Sequence, residues 1–412
     1  MKEIVESYFA HRSMVNHQLA SYDDCIPIGD GKGSRMEDIV KGIRIGSDDA
    51  LVDVPGGEDA GGMIKLDVLD KEIYIRMKGI RLGAPTVREA NGAEHPATPL
   101  ECRLRKLTYF SPIYMDFRIY RDDLPPSSTD SDIGFIEEEG VHIGNLPIMV
   151  RSGRCNLHPD HIAGTQEKSL KLSPTTSAED AQRHKELLRK SGEDPLDPGG
   201  YFIINGTERV LISMEDLAPN RVTVEKNKKY AHETEVAKIF SQKDGVRKPI
   251  NVEKRRDGML MVKIPSAGTT AIPVVLLMRA LGMENDRDIF SAIAGPVEAM
   301  KYTVANLNDV KDNPEYGVDN TEEAMAWLEK KFAAGQQKEY RESRIQNLLD
   351  KELLPHLGSD ESVRTKKAIF LGRIVRQVLE MAITNRDPND KDHYANKRVR
   401  LAGDLMEDLF RV

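Results

Sequence analysis

YFIINGTERVLI, residues 201–212, places Asn205–Gly206 between two runs rich in Ile, Phe, Tyr, Val and Leu. A two-residue Asn-Gly link tolerates positive φ at both positions, and its twist matches that of paired antiparallel strands. The stretch therefore predicts a tight β-hairpin. The same signal recurs at Asp257–Gly258, between NVEKRR (251–256) and MLMVKI (259–264). Upstream, MIKLDVLDKEIYIRMKGIRL (63–82) and ECRLRKLTYFSPIYMDFRIY (101–120) alternate apolar and polar residues and predict strands. Gly83, Pro85, Gly92, Pro96 and Pro99 mark the loop between them.

Helical spacing governs other stretches. Ile4, Val5, Tyr8, Val15 and Leu19 give an amphipathic pattern over 2–22, and a loop with Gly29, Gly31 and Gly33 follows it. Residues 121–140 are acidic and turn-rich, an expected exposed excursion. Ser177, followed by Glu179 and Asp180, is placed to cap a helix over AEDAQRHKELLRK (178–190), with Gly192 as its stop. Beyond residue 285 the predicted helices are DRDIFSAIA (286–294), TEEAMAWLEKKFAA (321–334) and KEYRESRIQNLLDKELL (338–354), the last stopped by Pro355 and Gly358. Over 363–385, Leu371, Val375, Val378 and Ala382 share one face, and LAGDLMEDLFRV (401–412) reads as a helix with no stop signal. Strands and helices mixed without regular βαβ alternation define a multidomain α+β class.

The 412 residues suggest two or three domains. A net charge of −8 argues against a protein that coats nucleic acid over its whole surface, though not against a local basic edge. Cys25, Cys102 and Cys155 stand too far apart for a zinc knuckle or redox pair and suit reduced thiols in the cytoplasm. The N-terminus shows no signal peptide. The longest apolar stretch, 271–281, is interrupted by Pro273 and Arg279 and falls short of the ~20 residues a membrane span needs. A soluble, cytoplasmic protein is expected.

Motifs for catalysis are incomplete. IGDGKGSR (28–35) carries Lys32 and Ser34, but Gly33 follows the lysine where a phosphate loop needs Ser or Thr. GGEDAGG (56–62) puts two acids in a glycine loop without the several fixed carboxylates a hard cation needs. The histidines show no H-E-x-x-H spacing, and there is no G-x-S-x-G elbow. No catalytic residue, metal ligand or cofactor site is assigned. DKDHYANKRVR (390–400) is different: it packs Lys391, Lys397, Arg398 and Arg400 with His393 and Tyr394, a composition able to meet phosphate oxygens.

GEDPLDPGGYFIINGTERVLI (192–212) and AIFLGRIVRQVLEMAITNRDPNDKDHYANKRVRLAGDLMEDLF (368–410) resemble the second-largest subunit of cellular RNA polymerases. RLRKLTYFSPIYMD (103–116), IGNLPIMVRSGRCNL (143–157) and LLPHLG (353–358) match the same family in the same order. The wording looks archaeal, and the chain resembles the N-terminal polypeptide of subunits that are split in two. The resemblance implies a protrusion over 1–216, completed by 337–391, an inserted lobe over 217–336, and the beginning of the fork over 392–412. It implies a role in a DNA-directed nucleotidyltransferase, forming one side of the DNA cleft and positioning the RNA–DNA hybrid. Magnesium would be held by the largest subunit and not by this chain. Expected partners are the other polymerase subunits, the remaining half of this subunit, the DNA template with its hybrid, and transcription factors. By match to the fork motif, Lys397 and Arg398 are the foremost phosphate contacts, followed by Lys391 and Arg400. Asn396 stands where the eukaryotic pattern has a second lysine. The competing expectation, a stand-alone nucleic-acid or protein adaptor, would call for a self-contained basic module, and the sequence offers none outside 391–400.

Overall fold

Two units, each a β-sheet packed with helices, make up the computed structural model. It describes residues 3–4, 14–28, 33–45, 62–68, 71–121, 135–162, 178–229, 232–265, 268, 270–333, 335, 337–384 and 386–411. Lys32 with the glycines before it, nearly all of GGEDAGG, most of the acidic excursion, Ser177 and much of the first predicted helix lie outside the described residues. Contacts divide the chain into one unit of Met1–Met214 with Val399–Val412 and a second of Glu215–Arg398. The α+β class holds throughout.

In the first unit, Asn205 and Gly206 take φ of 51° and 75°, the doubly left-handed turn expected of Asn-Gly. Phe202–Ile204 pairs with Thr207–Arg209 in the matching register, Ile204 opposite Thr207. Glycine is required at 206 by space as well as by φ, because a Cβ there would lie 2.7 Å from the Cα of Lys106. Strand pairing ends at Arg209, so the hairpin is shorter than its apolar run, and Val210 and Ile212 are exposed.

The main sheet runs in the order Arg44–Ile45, Gly62–Val68, Lys71–Leu82, Phe110–Arg121, Phe135–Pro147. Its first pair is parallel and the rest are antiparallel. Met77, Ile80, Leu82, Ile113 and Met115 project from it into a core shared with Tyr22, Cys25, Met36 and Val40 of the helices Asn16–Cys25 and Arg35–Gly42. The predicted strand over 101–120 begins only at Phe110. Residues Pro99–Arg105 form a helix, with Pro99 in its first turn and Thr98 Oγ1 accepting from the Glu101 N–H at 3.3 Å. Those capping residues outweigh the alternation of ECRLRK.

A second small core gathers Cys102, Tyr109, Ile148, Val150, Cys155 and Ile203 beneath the hairpin. Arg103 ties its rim together, donating to Glu193 at 3.0 Å, Glu208 at 2.8 Å and the Tyr201 hydroxyl at 2.6 Å. GEDPLDPGGYFIING thus acts as a packing element. All three cysteines are buried free thiols.

One half-buried acid in this unit yields a pH prediction. Asp23 Oδ1 accepts the Gly153 N–H at 2.8 Å, yet burial pushes its carboxyl up to about 6. With the folded pKa above the unfolded one, the native state holds the proton more tightly. Its contribution to stability is full below about pH 4 and lost as pH rises through about 6. Asp23→Asn keeps the acceptor and removes the charge. Melting curves should show this variant several degrees more stable than the parent at pH 7.5 and level with it at pH 4. A pH-independent difference would contradict the assignment.

In the second unit five antiparallel strands run in sequence order, Val222–Lys229, His232–Lys243, Val246–Lys254, Leu260–Lys263 and Ile272–Pro273. The hairpin expected at Asp257–Gly258 forms, though not as a two-residue link: Gly258 alone takes a positive φ, 90°, its N–H donates to the Arg255 carbonyl at 3.0 Å, and strand pairing resumes with Lys254 opposite Leu260. Ala237, Ile239, Val252 and Val262 face a core built with the helices Val274–Ala280, Asp286–Ile293, Val297–Asp312, Thr321–Phe332 and Arg364–Thr384. Leu371, Val375 and Val378 are fully buried in it, as the predicted face requires. The helix Lys338–Asn347 passes into a π-helical turn, Leu348–Glu352, before Pro355. His356 of LLPHLG sits with Nδ1 2.7 Å from Ser241 Oγ, fastening that turn to the sheet.

The packing regroups one expected segment. The resemblance implies that residues 337–391 complete the domain of 1–216. Instead Ile345, Leu349, Leu353 and the Arg364–Thr384 helix share the core of the strands over 222–263. The apolar face of that helix has its matching surface there, and the buried Gly372 lets it approach the Ala292 backbone closely.

Candidate nucleic-acid interface

The chain passes from the second unit into the first between Arg398 and Val399, so the four basic residues of DKDHYANKRVR are divided. Lys391, Lys397 and Arg398 belong to the second unit and Arg400 to the first.

Within the second unit the segment is fastened at several points. Asn389 exchanges hydrogen bonds with Val224, its N–H reaching the Val224 carbonyl at 3.0 Å and its Oδ1 accepting the Val224 N–H at 2.9 Å. An Asx turn follows, the Asp392 N–H donating to Asp390 Oδ1 at 2.8 Å. His393 Nδ1 accepts the Ala395 N–H at 3.1 Å and opens the turn Tyr394–Asn396. The Asn396 carbonyl then accepts the Ala218 N–H at 2.9 Å. This is a built loop held to a sheet.

The four predicted contacts differ in their surroundings. Lys391 pairs with Glu225, which also pairs with Lys238 and is only 15% exposed, so that ammonium is committed to an enclosed cluster. Lys397 pairs with Glu215 and lies 3.5 Å from Asp392. The Glu215 carboxylate raises its pKa further, so it is a cation at any physiological pH. Arg398 is exposed and donates to the carbonyls of Lys397 at 2.7 Å and Ala395 at 3.3 Å. It has no carboxylate partner among the described residues. In the first unit, Arg400 pairs with Asp408 of the following helix, Ala402–Phe410.

Sequence reading missed Arg221. It is exposed and donates to the same Ala395 carbonyl as Arg398, at 2.9 Å, and it too lacks a carboxylate partner among the described residues. Nothing local marks it, because its neighbour in space lies 174 positions away. Tyr394 is 80% exposed on the turn that carries this carbonyl. Two guanidinium groups without a carboxylate partner among the described residues therefore meet at the Ala395 carbonyl, on the turn that carries an open aromatic ring. Guanidinium forks suit phosphate oxygens, and an exposed ring offers a stacking face.

Among the described residues, one group of side chains brings three potential metal ligands together: Glu89, His95 and Glu101, with ligand atoms within 4.8 Å of one another. Arg105 already fills the place of a cation, its Nη1 standing 2.6 Å from both Glu89 and Glu101. Its hydrogen bonds hold the Glu89 carboxyl below the usual range. The cluster is a closed ion-pair network that ties a short hairpin to a helix.

Comparison with known proteins supplies the class. The family described as RNA polymerase Rpb2, domain 2, matches residues 218–400, and the family described as RNA polymerase beta subunit matches 13–171. The domain 2 match runs beside the limits of the second compact unit and includes 337–391, in agreement with the packing. The chain belongs to the family of the second-largest subunit of DNA-directed RNA polymerases. Among its relatives, subunit Rpo2N of Halobacterium salinarum is 36% identical over the whole of this chain and 69% of its own length. Rpo2N of Methanocaldococcus jannaschii is 36% identical over the whole of this chain and 71% of its own. The Rpo2 subunit of Saccharolobus solfataricus is 34% identical, and there 99% of this chain corresponds to 31% of the longer polypeptide. The assignment to transcription, to the archaeal branch and to a multisubunit complex rests on these relatives. Among the described residues, no helix is long and apolar enough to cross a membrane.

Proposed function

We propose that this chain forms one side of the DNA cleft of a DNA-directed RNA polymerase and that its 390–400 segment contacts phosphates of the RNA–DNA hybrid. The observation that carries this reading is the pair Arg221 and Arg398, converging on the Ala395 carbonyl without acidic partners among the described residues, beside the exposed Tyr394. The first compact unit then serves as the protrusion, the second as the lobe, and the chain after Arg398 leads into the fork.

The chemistry to be supported is attack of an RNA 3′-hydroxyl on a nucleoside triphosphate. Magnesium ions held by the largest subunit would stabilise the attacking and leaving oxygens. This chain supplies position: cations placed by a fixed loop hold the duplex in register at no cost of loop ordering. Outer surfaces are left for the other subunits and for transcription factors, in the cytoplasm where the template lies.

Salt dependence tests the reading. Each unpaired guanidinium on a phosphate releases a counter-ion, so Arg221→Ala and Arg398→Ala should each flatten the log–log salt slope of elongation-complex stability by about 0.7–0.9. Both variants should assemble normally and shorten complex lifetime. Unchanged lifetime and slope in intact polymerase would remove the segment from the nucleic-acid interface.

A further inference from the structure

We propose that Glu215 is a built-in counter-ion which nucleic-acid phosphate displaces from Lys397, so that this contact forms by exchanging one anion for another. The proposal rests on the nucleic-acid reading above and adds to it a residue that tunes the site.

The geometry separates Lys397 from its neighbours. Its side chain is 23% exposed, while its two acidic partners are more open, Glu215 at 44% and Asp392 at 94%. The cation is thus held by its surroundings, and the acids are free to turn outward into water. Lys391 is the reverse case: its partner Glu225 is the enclosed member and holds two lysines at once. Of the two paired lysines, only Lys397 can change partner without opening an enclosed cluster. Arg221 and Arg398, which have no acidic partner among the described residues, need no exchange.

Displacement has a distinct ionic signature. A free cation binding phosphate releases about 0.9 of a counter-ion on duplex, or about 0.7 on a single strand. If a carboxylate must be released first, it recruits a cation from solution, and the two nearly cancel. Lys397 then adds to affinity while adding little to salt dependence. When no nucleic acid is present the local charge stays low, which restrains indiscriminate binding and accords with a net charge of −8.

The test uses assembled polymerase carrying Glu215→Gln, Lys397→Gln or both, with elongation-complex lifetime measured across a salt series. Glu215→Gln should lengthen the lifetime several-fold at low salt and steepen the slope by about 0.7–0.9. Lys397→Gln should shorten it and leave the slope close to that of the parent. The double variant should behave as Lys397→Gln alone. If Glu215→Gln matches the parent while Lys397→Gln shortens the lifetime, the contact stands and the exchange is overturned. If Glu215→Gln lengthens the lifetime equally in both backgrounds, its charge acts at long range and the exchange is again overturned. If Lys397→Gln and Arg398→Ala both leave lifetime untouched, the nucleic-acid reading itself fails.

Discussion

Gly403→Ala is expected to destabilise the first unit by about 3 kcal/mol, the upper end of the usual cost of overpacking. Gly403 lies in the helix Ala402–Phe410, which crosses the helix Asn16–Cys25 at backbone contact. A methyl group on Gly403 would overlap the Ser21 carbonyl oxygen and sit 2.7 Å from both its carbon and Oγ. The obstacle is backbone, so no side-chain rotation relieves it. Moving the helix would also break the bonds around the crossing: Ala402 N–H to Gln18 Oε1 at 2.9 Å, Gly403 N–H to Ser21 Oγ at 3.1 Å, and Arg35 to Asp404 at 2.6 Å. Thermal melts and limited proteolysis should show the loss in this unit, and a variant within 0.5 kcal/mol of the parent, the usual range of a neutral surface change, would refute the close crossing.

The second large effect lies in the other unit. Lys367→Ala should cost about 3–5 kcal/mol, combining a cavity with buried acceptors left unpaired. The Lys367 side chain is fully buried, and its ammonium donates to the carbonyls of Leu349 at 2.9 Å and Asp350 at 2.6 Å. Those carbonyls belong to the π-helical turn, and the ammonium that reaches them stands on the Arg364–Thr384 helix. Burial pushes the Lys367 pKa down to about 8, so below that pH the charge is held at a cost. The unfolded chain binds the proton more tightly, and the parent should therefore gain stability relative to Lys367→Met as pH rises from about 8 toward 10. Lys367→Met, which fills the volume, should lose less than Lys367→Ala. Equal losses would show that volume is irrelevant at this site.

Sequence and structure agree where local chemistry decides. Asn205–Gly206 and Asp257–Gly258 announce their turns, and the helix over 364–384 shows its apolar face in the spacing of Leu371, Val375 and Val378. Val274–Ala280 was illegible as a helix for a physical reason: every residue in it is buried, Arg279 included, so it has no polar face to set a period. Arg279 reaches Asp286 at 2.7 Å and the Val318 carbonyl, contacts no local pattern reveals. The helix Val297–Asp312 was also not foreseen. The grouping of 337–391 depends on which surface receives its apolar face, a tertiary fact that no local pattern reveals.

The site was legible as letters and not as a circuit. Lys391, Lys397, Arg398 and Arg400 stand out in eleven residues. Their partners Glu225 and Glu215, and the added Arg221, lie well over a hundred positions upstream. Folding sorts the four cations into committed and available ones, which composition alone cannot do.

A photoreactive phenylalanine analogue at Tyr394, in polymerase stalled on a template with labelled RNA and DNA, reports whether the 390–400 segment lies against nucleic acid. Tyr394 is exposed on the turn that carries the Ala395 carbonyl, so crosslinks to a nucleic-acid strand, weakened by Arg398→Ala, are expected. Crosslinks confined to protein, in a complex that is active and fully assembled, would contradict it.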